Sequence, residues 1–163
     1  MSLKYNIYLD TSVINFLFAD DAPEKKAITI DFFDNFVKTH QYNTYASNFV
    51  IEEIANTAND EKRNQLLNVL KKYPVQLIEV ESDEVPDLAK KYSDAGIIPA
   101  KKIFDTLHVA VSTIYQMHFL VSWNYKHLAN IYREQKIRQV NIANHYFNEL
   151  RIVTPLELID YGN

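Results

Sequence analysis

The chain is expected to fold as α/β, a three-layer sandwich with a central, mostly parallel sheet, and three observations predict it. Short apolar runs of strand character, such as Ile7-Tyr8-Leu9 and Phe119-Leu120-Val121, alternate with longer stretches of helical pattern. That alternation is the mark of parallel strands covered by helices on both faces. The length of 163 residues with 47% hydrophobic residues supplies one core and leaves little room for a second, so residues 1–163 are read as a single domain. No repeat, linker or low-complexity tract interrupts the alternation.

The elements follow in order. Ile7, Tyr8 and Leu9 form the first strand, and Val13, Ile14, Phe16 and Leu17 give the buried face of a short helix, with Asp10 at the junction. Pro23 opens a long helix carrying Ile28, Ile30, Phe32, Phe33, Phe36 and Val37 and closing near His40, a residue that complements the negative end of the helix dipole. Tyr42 to Ala46 is the second strand. Ser47 or Asn48 can cap the helix that carries Phe49, Val50, Ile51, Ile54, Ala55 and Ala58. Asn59-Asp60 breaks it, a helix from Glu61 to Lys72 follows, and Pro74 ends that one ahead of a third strand, Val75 to Val80.

Asp83 to Ser93 reads as helix, since Pro86 is tolerated in a first turn, and Gly96 to Lys102 reads as loop. The helix from Ile103 to Met117 keeps Phe104, Leu107, Ala110, Val111 and Ile114 on one face, and Phe119 to Ser122 is a fourth strand. A helix is expected from Tyr125 to about Glu134, then a polar stretch without clear period from Gln135 to Asn148. Arg151-Ile152-Val153 is the last strand, and Thr154-Pro155-Leu156-Glu157 has capping-box spacing for a closing helix.

Composition excludes several function classes. With 17 Lys and Arg against 21 Asp and Glu the formal charge is −4, so nothing holds the whole molecule to nucleic acid by global charge, and any such contact is a local patch. The lack of cysteine rules out disulfides, thiolate nucleophiles and Cys-ligated zinc or iron–sulfur clusters. With no run of eighteen apolar residues and no basic segment leading into an apolar one, a soluble cytoplasmic protein without membrane contact is expected. The only glycines are Gly96 and Gly162, so neither a P-loop nor a dinucleotide fingerprint can be built. A serine hydrolase lacks its Gly-x-Ser-x-Gly elbow, and the Asp-x-Asp of haloacid dehalogenase phosphatases is missing because position 12 is serine.

The candidate site begins with Asp10, an acid at the carboxyl edge of a sheet, where open α/β folds collect ligands. Taken alone it is equally a turn residue or the N-cap of the next helix. Glu52 and Glu53 lie inside a helical pattern whose periodicity does not choose between them, and Asp105 lies in a first turn, where the helix dipole favours an acid without any function. Carboxylates brought together at one edge repel unless a hard divalent cation neutralises them. His108, three residues after Asp105, is either a partner for a metal or a packed histidine.

Order and context are more specific. The segments Tyr8-Leu9-Asp10-Thr11-Ser12-Val13, Ser47-Asn48-Phe49-Val50-Ile51-Glu52-Glu53-Ile54, Phe104-Asp105-Thr106-Leu107-His108-Val109-Ala110 and Leu120-Val121-Ser122-Trp123-Asn124 resemble the motifs of PIN domains, the metal-dependent ribonuclease fold that includes VapC-type toxins. The resemblance covers most of the chain. It implies a Mg²⁺- or Mn²⁺-dependent endoribonuclease acting on single-stranded RNA, with Asp10, Glu53 and Asp105 as metal ligands and Asn124 as the fourth residue at the reacting centre. Glu53 is chosen over Glu52 because it lies six positions after Ser47, as the family pattern has it. Thr11 or Ser12 would orient Asp10, and a bound metal would polarise a phosphate oxygen and lower the pKa of a water.

Asn124 departs from the pattern, which often has an acid there; an amide offers an oxygen but no charge. The alternative is therefore a weakened or inactive PIN-like module that binds RNA or a protein. The resemblance also implies a small antitoxin as partner and a homodimer. Basic residues that could hold an RNA backbone are Lys101 and Lys102 before Asp105, and Lys126, Arg133, Lys136 and Arg138, with Tyr125, His127 and Tyr132 interleaved for stacking; the competing reading is a solvated helix face.

Overall fold

In the computed structural model, which describes residues 3–124 and 128–162, strand β1 (Asn6–Leu9) lies at the centre of a five-stranded sheet. Helix α1 (Thr11–Asn15) and a 3₁₀ turn (Phe16–Phe18) follow, then α2 (Pro23–Phe32), extended by a π-helical turn, Phe33–Val37. Next come β2 (Asn43–Ser47), α3 (Asn48–Ala55), α4 (Asp60–Lys72) and β3 (Val75–Ile78). The second half contains α5 (Glu84–Asp94), α6 (Ile103–Ile114), β4 (Phe119–Val121), α7 (Ile131–Ala143), β5 (Arg151–Val153) and α8 (Pro155–Gly162).

The spatial order is β3-β2-β1-β4-β5, and every pairing is parallel. Ile7, Tyr8 and Leu9 are each 0% exposed. Successive strand residues face opposite sides, so that burial requires cover on both, and helices sandwich the sheet as the alternation of elements predicts. Chain order runs outward from β1 to β2 and β3, then returns through α5 and α6 to β4 on the other side of β1. The carboxyl ends of β1 and β4 therefore meet where the winding reverses, the crevice at which open α/β sheets bind ligands. The backbone N–H of Asp10 bonds to the carbonyl of Val121 across this junction.

Local chemistry fixes the elements that carry the site. Asp10 is the N-cap of α1, its carboxylate accepting from the N–H of Val13 at 3.3 Å, so the turn reading of that residue holds whatever else it does. Ser47 ends β2 and caps α3, accepting from the N–H of Phe49 at 3.2 Å. Strand and helix thus join without a loop, and Glu53 is held at a set distance from the sheet edge. Gly96, at φ +71°, closes α5 in the left-handed conformation and starts the segment that carries Lys101 and Lys102. The closing capping box forms in full: Thr154 Oγ1 accepts from the N–H of Glu157, and Glu157 accepts from the N–H of Thr154.

One expected stretch is corrected. The residues read as a polar segment, 135–148, are largely helical, since α7 runs from Ile131 to Ala143 with the Asn130 side chain as its cap, accepting from Arg133 N–H at 2.9 Å. Its apolar residues are scattered around the helix: Ile131, Tyr132 and Ile142 are exposed while Ile137 and the polar Asn141 are buried. No apolar stripe marked it. The start expected at Tyr125 lies outside the described residues, as do Lys126 and His127.

Candidate functional site

The carboxyl ends of β1 and β4, the start of α6 and one face of α3 enclose a cleft of about 310 Å³, lined by Asp10, Thr11, Ser12, Asn15, Glu53, Asp105 and Asn124, with Lys101 to Phe104 along one side. The three expected acids, the expected amide, both hydroxyls and both lysines reach it. Lys126 lies outside the described residues. Glu52 is exposed on α3, so the helix presents Glu53 to the cleft, and the cleft residues that the sequence reading did not single out for the site are Ile103 and Asn15, the latter one turn along α1 from Thr11.

Each acid has its own support. Asp10, 2% exposed, accepts from Ser12 Oγ at 2.5 Å, and Ser12 Oγ in turn accepts from the N–H of Trp123 at 3.0 Å, tying the end of β1 to the segment after β4. Asp105 accepts from Asn124 Nδ2 at 2.9 Å, and Asn124 is itself turned by a bond from its N–H to Ser122 Oγ at 2.9 Å. Glu53 Oε1 lies 2.9 Å from Nε2 of His108. His108 is 1% exposed, and its Nδ1 lies 2.7 Å from the hydroxyl of Tyr8, which lies 2.7 Å from Ser47 Oγ. His108 is therefore a packed histidine with a hydrogen-bond partner at each ring nitrogen. Its partners stand 55 and 100 residues away in sequence, and no local pattern announces them.

The charges respond to that crowding. Burial raises the pKa of Asp10, and the proximity of Glu53 adds to the rise, while His108, Ser12 and Ser122 partly offset it. Asp105 is pushed up to about 6, first by burial and then by the neighbouring charge of Asp10, with Glu53 contributing and His108 and Lys102 opposing. Glu53 goes the other way. Burial alone would raise it, but its bond to His108, the electrostatic influence of His108 and Lys102, and the Thr11 hydroxyl leave it below the ordinary glutamate value. The Thr11 hydroxyl is close enough to act on Glu53 yet is buried without a hydrogen bond of normal length.

Oxygen donors of this kind suit Mg²⁺ or Mn²⁺. Among the described residues, however, no group of three or more His, Cys, Asp and Glu side chains is gathered closely enough to hold a metal ion. The acids share a cleft, but their arrangement does not fit a preformed metal cage, and Asp105 and Glu53 each spend an oxygen on an internal hydrogen bond. What the cleft offers as it stands is concentrated negative potential with two lysines along one side.

Fold and site together define a PIN-like α/β domain architecture with an acidic cleft at the switch point of its sheet. Two solved structures share the architecture: FitAcB from Neisseria gonorrhoeae, at a TM-score of 0.54 and 14% identity over 92% of this chain and 98% of that one, and VapBC2 from Rickettsia felis bound to a DNA fragment from their promoter, at 0.54 and 12% over 91% and 98%. At these identities the likeness is one of fold. No protein-family model matches the chain, and no curated protein does. Among the described residues no helix is long and apolar enough to cross a membrane.

Proposed function

We propose that this chain is a single PIN-like domain in which phosphodiester hydrolysis is weakened and binding is retained. The observation that carries the reading is Asn124: where a further acid would add charge for a cation, its amide donates to Asp105 Oδ2 at 2.9 Å and satisfies that carboxylate internally. The shortage of gathered ligands among the described residues supports the same reading. The acidic cleft is complementary to a cationic side chain of a small antitoxin-like partner, and Lys101 and Lys102 on its rim suit the backbone of single-stranded RNA. A homodimer belongs to the same proposal.

The second reading is an active Mg²⁺- or Mn²⁺-dependent endoribonuclease, favoured by the convergence of Asp10, Glu53 and Asp105 on one cleft. A fluorescent single-stranded RNA incubated with Mn²⁺ separates the two. Binding without cleavage by wild type supports the weakened module. Cleavage abolished by both Asp10→Asn and Asp105→Asn supports the nuclease and overturns the weakened reading.

A further inference from the structure

Beneath the cleft, four side chains from four elements form one hydrogen-bonded circuit. Ser47 caps α3; its Oγ meets the Tyr8 hydroxyl at 2.7 Å; that hydroxyl meets Nδ1 of His108 at 2.7 Å; and Nε2 of His108 meets Oε1 of Glu53, on the same α3 that Ser47 caps, at 2.9 Å. Tyr8 is 0% and His108 1% exposed, whereas Glu53 is about one-third exposed and lines the cleft. The circuit thus starts at the cap of α3, passes through the sheet centre and α6, and ends on α3 itself. Its only member open to the cleft is the carboxylate.

The proton order follows from the donors present. Oε1 of Glu53 faces Nε2 at 2.9 Å, and a carboxylate only accepts, so Nε2 of His108 donates to it. In the neutral ring Nδ1 is then the acceptor and receives the Tyr8 O–H at 2.7 Å. Tyr8 oxygen is left to accept from Ser47 O–H, while Ser47 oxygen accepts from Phe49 N–H. Every donor and acceptor along the line is used once in a consistent direction.

We propose that His108 is a positioning residue for Glu53: Tyr8 and Ser47 fix the imidazole as its Nε2–H form, and that N–H holds one carboxylate oxygen so that Glu53 stands at the cleft in one orientation. The inference rests on the acidic cleft being the working surface of the protein. It deepens that reading by assigning the residue that sets the geometry of its one acid held on a helix interior.

The test is made on the metal-free protein, so an inert cleft and a wrong assignment of His108 give separate results. Long-range ¹H–¹⁵N correlation of the imidazoles is expected to show His108 with a protonated Nε2 and an unprotonated Nδ1. An Nδ1–H form, or a rapidly exchanging mixture, overturns the proposal without any variant being made. The side-chain carboxyl ¹³C signal of Glu53 then reads position. It should move in His108→Leu, return in His108→Gln, whose amide nitrogen can stand in for Nε2, and stay displaced in His108→Asn, which reaches only toward Tyr8. Restoration by Asn and not by Gln, or a signal unmoved in all three, would reduce His108 to a packing group.

Discussion

The amide of Asn124 donates to Oδ2 of Asp105 at 2.9 Å, across a sequence separation of 19 residues, and so joins the segment after β4 to the first turn of α6. The bond sets a neutral donor against the one cleft acid whose pKa rises to about 6. Replacing that donor with an acid changes both the hydrogen bond and the charge.

Asn124→Asp is therefore expected to lower stability in EDTA by about 1–3 kcal/mol, because a charge-assisted bond is exchanged for a like-charge pair in a half-buried cleft. Added Mn²⁺ should raise the unfolding midpoint of the variant more than that of wild type, by linkage to a tightened cation site. Thermal unfolding in EDTA and in Mn²⁺ checks both halves. A midpoint shift with Mn²⁺ no larger than in wild type removes position 124 from the cleft's cation chemistry.

Asp105 makes a signed prediction for pH. Its folded-state pKa of about 6 exceeds the ordinary 3.8, so between those values the folded state binds more protons than the unfolded one, and stability falls as pH rises through that window. Asp105→Asn should consequently be more stable than wild type at neutral pH, by about 1–3 kcal/mol at most, and should lose the Asp105 share of that slope, the raised pKa of Asp10 contributing a share of the same sign that stays. Glu53 contributes with the opposite sign: its stabilisation is present above 4.5 and is lost as pH falls through its lowered folded value. Urea unfolding from about pH 4 to pH 7 for wild type and variant measures the difference.

Tyr92→Phe tests the anchoring of α7. The Tyr92 hydroxyl of α5 donates to Oδ1 of Asn141, which is 3% exposed, while Asn141 Nδ2 donates to Thr113 of α6 at 3.2 Å. Removing the hydroxyl leaves a buried amide oxygen without this donor, at a cost of about 1–3 kcal/mol. Chemical denaturation should show it with an unchanged m-value, since little surface is added.

Charge reversal at the rim, Lys101→Glu with Lys102→Glu, is expected to weaken binding of single-stranded RNA irrespective of its sequence. The slope of log affinity against log salt should shrink by roughly 0.7 for each RNA phosphate that the rim no longer neutralises. Fluorescence anisotropy at several salt concentrations provides the measurement. An unchanged slope would place RNA elsewhere on the surface.

Much of the architecture could be read residue by residue. Buried strands such as Ile7-Tyr8-Leu9, caps such as Ser47 and the Thr154–Glu157 box act over a few residues, and short-range chemistry leaves short-range traces. Helix α7 was illegible for the converse reason. Its buried face includes Asn141, whose polarity is satisfied by Tyr92 and Thr113 from other helices, so the apolar period that would reveal it is absent.

The same division runs through the cleft. By itself the amino-acid sequence determined the order of the strands and of the helices other than α7, the acid at the end of β1, the acid in the first turn of α6, and the absence of cysteine or a glycine-rich phosphate loop, because composition and neighbouring residues suffice for each. Only the tertiary structure decided that Glu53 meets His108, which in turn meets Tyr8, that Asn124 bonds to Asp105, and that the three acids share a cleft without, among the described residues, a gathered metal cage. Those outcomes depend on hydrogen bonds between atoms brought together by the parallel winding of the sheet. Such bonds work over less than about 3.5 Å, and that proximity comes from packing rather than from separation along the chain.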